Sequence, residues 1–574
     1  MYQRINLARP RQDPYAGSFL GLSLLIVGLA TPLLILAPGI QSLEGCDESF
    51  YAQMGREMLA GAWLSPTYLG ELFFEKPPLL MGLVALSFKV GGINEWSARL
   101  PGILSALAAI PLVGWIGRQF LPARAAVLGM CALPLCFLWL QQGRMVGQDI
   151  PLTLIELMGI AGLIAGIQGR RGWYWLTGLC LGLGLLMKSA MILLVGVAVL
   201  PYLLQQQRHW LTSPHFWLGQ LSGLSLFGLW LGVSMQRHGS QVWQSLLGKV
   251  QDLGAEPFHA DHRWFYYLWH IPVHGFPWTV LGVIGGLMLI RRYPGRSLLI
   301  WSLPLILVAL LTVYPTRTHY YTVQLYPWLV LMAGVVIDQA MLKWRERGMD
   351  MRPTIHLAQW LSRGFVILGI LLVGLGVATL VGVDELELLS PHALALLGMG
   401  ICYTLLPLIW AWRHLLHSPA SLWVGSLYLA SGIAMISVVN RADFGNHNPA
   451  LAQLRQSWNQ QVITLDPIEQ VDIGRSGLED VCQAQAYAFY TPIPGRLVGD
   501  EALLADDFGL HLWLSPVQQE RYEPLLTSLQ PVIEVEGWQL MERIQAVLPE
   551  ATIDPVLSDL ELDPTLEQDP VPTP

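Results

Sequence analysis

Apolar runs of membrane-crossing length recur along the first 440 residues, and they leave few alternatives for the fold. The hydrocarbon core of a bilayer is about 30 Å thick and takes about 20 apolar residues in a helix. Runs at or near that length are Ser18–Pro38, Arg99–Arg118, Pro122–Gln142, Ile150–Gln168, Trp173–Lys188, Ala190–Gln205 and His215–Met235. They continue as Trp269–Ile290, Leu298–Tyr314, Gln324–Leu342, Trp360–Val381, Pro391–Trp412 and Ala420–Val439. With Arg4, Arg9, Arg11, Arg170, Arg171, Arg291, Arg292, Lys343, Arg345 and Arg347 kept in the cytoplasm, these runs predict roughly 13 spans. The N-terminus is then inside and the C-terminus outside. The expected fold is a polytopic α-helical membrane protein with the first run as an uncleaved signal anchor. Composition agrees: only 13% of residues are charged, against about 25% in soluble domains. A net charge of −8 without a long basic run excludes nucleic acid as an expected partner.

Between the first two crossings lies an external loop, 39–98, that breaks the apolar pattern. It carries Asp47, Glu48, Arg56, Glu57, Glu71, Glu75 and Lys76, and it ends in a short apolar stretch, Pro77–Gly92, read as a helix at the outer interface. Ionisable groups held against a membrane are costly unless they serve a site. Further cations fall on the same outer side against the usual bias: Arg99, Arg144, Lys188, Arg237, Lys249, Arg263 and Arg317. Some are accounted for by neutralising acids or by reaching headgroups. Together they predict a positive external cavity suited to a phosphate-bearing ligand. Asp149, just before Ile150-Pro151, suits a helix N-cap as well as a site, and so does Asp47.

From Arg441 the composition turns polar, and short apolar runs at 486–490 and 510–514 alternate with amphipathic stretches. A small extracytoplasmic α/β domain is expected over 441–548, followed by a disordered acidic, Pro-rich tail over 549–574. Residues 1–17 are expected to be a cytoplasmic N-terminus, and 18–440 a transmembrane domain. The six Cys lack metal-ligand spacing. Most read as small hydrophobes, while a bond between Cys46 and Cys482 is left open. A transporter of an anionic envelope precursor is the alternative, but transporters place charges at the midplane and often show repeated halves.

The run Asp47-Glu48, Tyr51-Ala52, Arg56-Glu57-Met58-Leu59, Phe74-Glu75-Lys76-Pro77-Pro78-Leu79, Asn94-Glu95-Trp96, Ala98-Arg99-Leu100-Pro101 resembles the GT-C glycosyltransferases. It looks most like the lipid A aminoarabinose transferases, which are similar to protein O-mannosyltransferases. The resemblance is dense over residues 40–150, thins to scattered motifs by 330, and does not reach the last domain. It implies a GT-C fold and a plasma-membrane enzyme moving a sugar from a polyprenyl-phosphate carrier to an extracytoplasmic lipid, glycan or protein, with inversion. It implies no organic cofactor. By residue, it makes Asp47 the catalytic base and Asp149 the second acid, with Glu48, Tyr51, Arg56 and Tyr320 nearby. It gives the donor phosphate to Lys76, Lys188, Arg317 and Arg99. Arg317, in Thr316-Arg317-Thr318-His319-Tyr320-Tyr321, stands where the family often has Ser-Lys-x-x-x-Tyr. Lys188 usually precedes Gly in the family; here Ser189 follows. A divalent metal is also implied as an option, held by Glu75 with His259 or His262, between which the sequence does not choose.

Overall fold

The computed structural model of the protein describes residues 18–544 apart from 37–40, 44–46, 62, 206–209, 256–262, 264, 296, 346–354, 413–414, 417, 442–448, 460–469, 475–480, 499–501, 504, 506–507 and 523–527. The expected cytoplasmic N-terminus and the Pro-rich tail lie outside the described residues, as do His259, His262 and Cys46.

Apolar composition and local stop signals set the helices. After α1 (Phe19–Ile35), the first loop forms α2 (Glu48–Ala60), a two-stranded turn of β1 (Thr67–Tyr68) and β2 (Glu71–Leu72), and α3 (Leu79–Gly91). Asn94 then starts α4 (Glu95–Phe120), its side chain accepting the Ser97 N–H at 2.8 Å, as N-cap asparagines do. Next come α5 (Ala123–Ala132), α6 (Phe137–Gly143), α7 (Asp149–Ile167), α8 (Tyr174–Lys188), α9 (Met191–Gln205), α10 (Pro214–His238) and α11 (Gln241–Ala255). The membrane part is completed by α12 (Tyr266–His274), α13 (Trp278–Arg292), α14 (Leu298–Val313), a tight turn at His319–Leu325, α15 (Tyr326–Arg345), α16 (Ile355–Val381), α17 (Ala393–Ala411) and α18 (Pro419–Arg441).

Among the described residues, seven helices are long and apolar enough to cross a membrane, or up to nine if each bent pair is one span. The chain is thus a multi-pass membrane protein. Two expected straight crossings are not straight. Pro122–Gln142 becomes α5 and α6, bent by 61°, and Trp269–Ile290 becomes α12 and α13, bent by 113°. Both breaks contain a proline, Pro134 and Pro277, which lacks an N–H for the helix ladder; after Pro134 the chain turns extended at Cys136, with φ −86° and ψ 125°. Helices α1, α8, α9 and α14 have only 15 to 17 residues, short of the ~30 Å core at about 1.5 Å per residue.

Helices α8 and α10 approach closely because each carries paired glycines: Gly178 and Gly182 face Gly219 and Gly223. A Cβ at Gly178 would lie 1.8 Å from the Gly219 carbonyl oxygen, so only glycine permits this backbone contact.

The C-terminal region adds α19 (Pro449–Asn459), β3 (Val471–Gly474), α20 (Val481–Tyr490), β4 (Pro494–Val498), β5 (His511–Leu514), α21 (Pro516–Arg521), β6 (Leu529–Val535) and β7 (Trp538–Arg543). Its sheet has the order β4-β3-β5-β7-β6, with β3 parallel to β4 and β5, and β7 antiparallel to β5 and β6. One hydrophobic cluster runs from α2 and α3, through Leu43, Met54, Val84 and Phe88, into Leu451, Leu454, Tyr487 and Phe489 of this region. Cys482 is disulfide-bonded; Cys131, Cys136, Cys180 and Cys402 are free.

Candidate active site

The polar residues singled out in the first loop divide by what they touch. Glu48 and Arg99 are both buried and form a bidentate ion pair, Nε to Oε1 at 2.8 Å and Nη2 to Oε2 at 2.7 Å. Arg99 also donates to the Gln41 and Ser42 carbonyls at 3.0 and 2.9 Å, and Glu48 accepts the Val146 N–H at 2.8 Å. Arg99 therefore braces the loop from α4, and its expected role on the donor phosphate is corrected: its donors are committed to Glu48 and the two carbonyls. Arg56 likewise faces the C-terminal region, donating to the Thr491 carbonyl at 2.8 Å.

Asp47 is left differently. It occupies the N-cap position of α2 but makes no capping hydrogen bond. Its residue is open to solvent, yet protein groups wall it closely, as for a side chain facing a cavity. That enclosure pushes its carboxyl above the usual aspartate range, while Lys188 and Lys76 pull it back and Asp149 and Glu48 push it further up. The buried Tyr51, one turn along α2, donates from its hydroxyl to Gln148 Oε1 at 3.1 Å. Burial, then Asp47 and Asp149, hold the Tyr51 phenol neutral.

Asp149, at the first turn of α7, is buried and accepts from Lys188 Nζ at 2.7 Å. It is the partner of Lys188 rather than a helix cap, since Gln148 holds the cap position. Gln148 also donates to the Met187 carbonyl, tying the start of α7 to the end of α8 where Lys188 sits. The Lys188 ammonium lies over the rings of Tyr321 (4.7 Å to the centroid) and Tyr320 (5.5 Å), a favourable arrangement for a cation. After Lys188 the chain turns at Ser189 with φ +50°.

Of these residues Lys188, Ser189 and Tyr321 line a cavity of about 800 Å³, including its open mouth, and Asp47 and Asp149 stand behind that lining, both interacting with Lys188. Its lining includes the polar Glu75, Lys76, Lys188 and Tyr321 and the apolar Met191, Leu194, Leu246 and Leu311. Arg317 is not in that lining and donates to the Thr312 carbonyl at 2.8 Å. The structure thus brings together Asp47, Asp149, Lys188, Lys76, Glu75, Tyr51 and Tyr320, and sets Arg99, Glu48 and Arg56 to work on the loop. Sequence reasoning missed Gln148 and Tyr321, although both adjoin residues it chose.

Among the described residues no group of three or more His, Cys, Asp or Glu side chains could hold a metal ion. Glu75 shares the cavity lining with two lysines. The described residues do not fit a metal, and His259 and His262 lie outside them.

Residues 75–231 match the family described as dolichyl-phosphate-mannose-protein mannosyltransferase. The chain is 30% identical over 252 residues to an undecaprenyl phosphate-alpha-4-amino-4-deoxy-L-arabinose arabinosyl transferase of Edwardsiella ictaluri, covering 42% of this chain and 45% of that protein. It is 34% identical over 193 residues to the protein of the same name from Enterobacter sp., covering 32% and 35%. The chain thus spans less than half the length of these two relatives. Among solved structures, ArnT from Cupriavidus metallidurans bound to undecaprenyl phosphate superimposes with a TM-score of 0.70 at 18% identity, over 93% of this chain and 99% of that one. The chain therefore has the fold of ArnT and, as its first loop foretells, is like the GT-C glycosyltransferases of the aminoarabinose transferase and protein mannosyltransferase kind.

Proposed function

We propose that the protein is an inverting glycosyltransferase that moves a sugar from a polyprenyl-phosphate carrier to an acceptor in the cell envelope. The observation that carries this reading is a cavity lined by Lys76, Lys188 and Glu75 together with apolar side chains, beside Asp47, whose carboxylate interacts with both lysines, and beside the Asp149–Lys188 pair. A phosphate on a long hydrocarbon has that polarity.

Lys76 and Lys188 would lie against the donor phosphate. The acceptor hydroxyl attacks the anomeric carbon, its proton passes to Asp47, and the bond to the phosphate oxygen breaks with both electrons leaving on the polyprenyl phosphate. Fixed cations near that oxygen stabilise the charge as it develops. A positioned base contributes about 10²–10⁴-fold. Asp149 holds Lys188 by its ion pair and serves as an orienting group. Attack opposite the leaving phosphate inverts the anomeric centre. In this reading the cavity opens away from the cytoplasm, and the four shorter helices cross the membrane with the nine others, giving the thirteen spans expected.

The test is the purified full chain in lipid with defined polyprenyl-phosphate sugars and acceptors, read by mass spectrometry, with the product's anomeric configuration read by NMR. Transfer abolished in Asp47→Asn supports the reading. Full activity in that variant, or retention of configuration, sinks the assigned base.

A further inference from the structure

The segment that carries Asp47 is held from two sides, and one of the two holders is the C-terminal region. Tyr490, buried at the end of α20, accepts the backbone N–H of Leu43 on its hydroxyl at 2.9 Å. Leu43 lies four residues before Asp47, and the carbonyls of its neighbours Gln41 and Ser42 are gripped by Arg99 from α4. Burial, with the Glu95 carboxylate next in effect, keeps the Tyr490 phenol neutral, so the hydroxyl that accepts from Leu43 keeps its proton for Glu95. Glu95 in turn pairs with Arg455 of α19 at 3.3 Å.

A second set of contacts runs the other way. Arg56, on the helix that Asp47 begins, donates to the carbonyls of Phe489, Thr491 and Pro492 at the C-terminal end of α20. That end carries unsatisfied carbonyls and partial negative charge, so a guanidinium suits it. Phe88 of α3 stacks on Phe489 at 6.4 Å between ring centroids. Helix α20 also contains the disulfide-bonded Cys482.

We propose that the C-terminal α/β region is a positioning unit for the transfer reaction, and that Tyr490 and Arg56 are positioning residues through which it sets the loop carrying Asp47. This rests on Asp47 being the base. None of these contacts involves Lys76 or Lys188, so the region governs the placing of the base and not the grip on the donor phosphate.

Tyr490→Phe tests this with the full chain, because it keeps the ring packing and removes the hydroxyl that accepts the Leu43 N–H and bonds Glu95. Three things are expected. The Leu43–Met54 backbone exchanges hydrogen for deuterium faster, kcat falls about fivefold, the equivalent of one lost hydrogen bond, and KM for the polyprenyl-phosphate sugar stays unchanged. Arg56→Gln should lower kcat likewise, with Arg56→Lys between it and the parent, while the thermal midpoints of all three remain near the parent's. An unchanged kcat in both Tyr490→Phe and Arg56→Gln overturns the proposal, as does a kcat loss that merely tracks a lowered thermal midpoint. Asp47→Asn, run beside them, separates the two levels. Its full activity removes the base and this proposal with it, whereas an inactive Asp47→Asn beside a fully active Tyr490→Phe removes this proposal alone.

Discussion

Asp47 and Asp149 are both carboxylates near Lys188, but only Asp149 has the ammonium within hydrogen-bonding reach, at 2.7 Å. Asp47 makes no capping hydrogen bond, which is why the proposed mechanism assigns the proton to it. Its enclosure disfavours the charged form, so its pKa is raised. A base must be deprotonated to act; the rate should therefore rise with pH through a midpoint above the ~3.9 of an ordinary aspartate. Lys76→Met removes one of the charges holding that midpoint down, and should move it higher still in a pH profile of kcat. The stability sign follows the same shift: for this group the folded state loses stability as pH rises through the raised pKa. A second residue-scale prediction concerns Ser189, where φ is +50° and ψ −129°, backbone that favours glycine. Such strain costs about 1–3 kcal/mol. Ser189→Gly should raise the thermal midpoint with transfer retained, and Ser189→Val should lower it. The glycine that the resemblance leads one to expect after Lys188 thus has a backbone reason.

At the scale of elements, the α8–α10 contact fixes where Lys188 ends up, because α8 terminates at that residue. A Cβ at Gly223 would meet the Gly178 carbonyl oxygen at 1.8 Å, and one at Gly182 the Gly223 carbonyl oxygen at 2.3 Å. Gly182→Leu should therefore push the two helices apart, lower the thermal midpoint by several degrees and reduce transfer, with Gly182→Ala intermediate. Equal stability across the three proteins would show that this contact is dispensable. The sequence made the helices legible because hydrocarbon demands continuous apolar runs, and it made Asp47, Lys76 and Lys188 legible because charges there are rare. It did not reveal the bends at Pro134 and Pro277, since a proline within an apolar run is compatible with a kinked or a broken helix. Nor did it reveal that Arg99 pairs with Glu48 while Lys188 pairs with Asp149 and lines the cavity. Both are cations on the same face, and only packing decides which one meets a carboxylate in the loop. The Tyr490–Leu43 bond joins residues 447 apart, a distance over which local pattern carries no information.

For the whole molecule, the cavity joins two kinds of surface contributed by distant parts of the chain. Glu75 and Lys76 come from the first loop, Lys188 from α8, Met191 and Leu194 from α9, Leu246 from α11, Leu311 from α14 and Tyr321 from the turn before α15. A ligand that fills it must hold these six elements together, and binding only the folded state stabilises a protein by mass action. Polyprenyl phosphate at about 100 times its Kd should add about 2.7 kcal/mol, read as a rise in the thermal midpoint of the protein in lipid or detergent. The polyprenol without phosphate keeps the apolar contacts and loses the two lysines, so its effect should be smaller. Short-chain phosphate esters keep the head and lose the tail, and should also fall short. In Lys76→Met the advantage of the phosphate over the alcohol should shrink, because one of the two cations that distinguish them is gone. If polyprenyl phosphate and polyprenol stabilise equally, Lys76 and Lys188 do not face the ligand, and the polar lining of the cavity serves something other than the donor's phosphate.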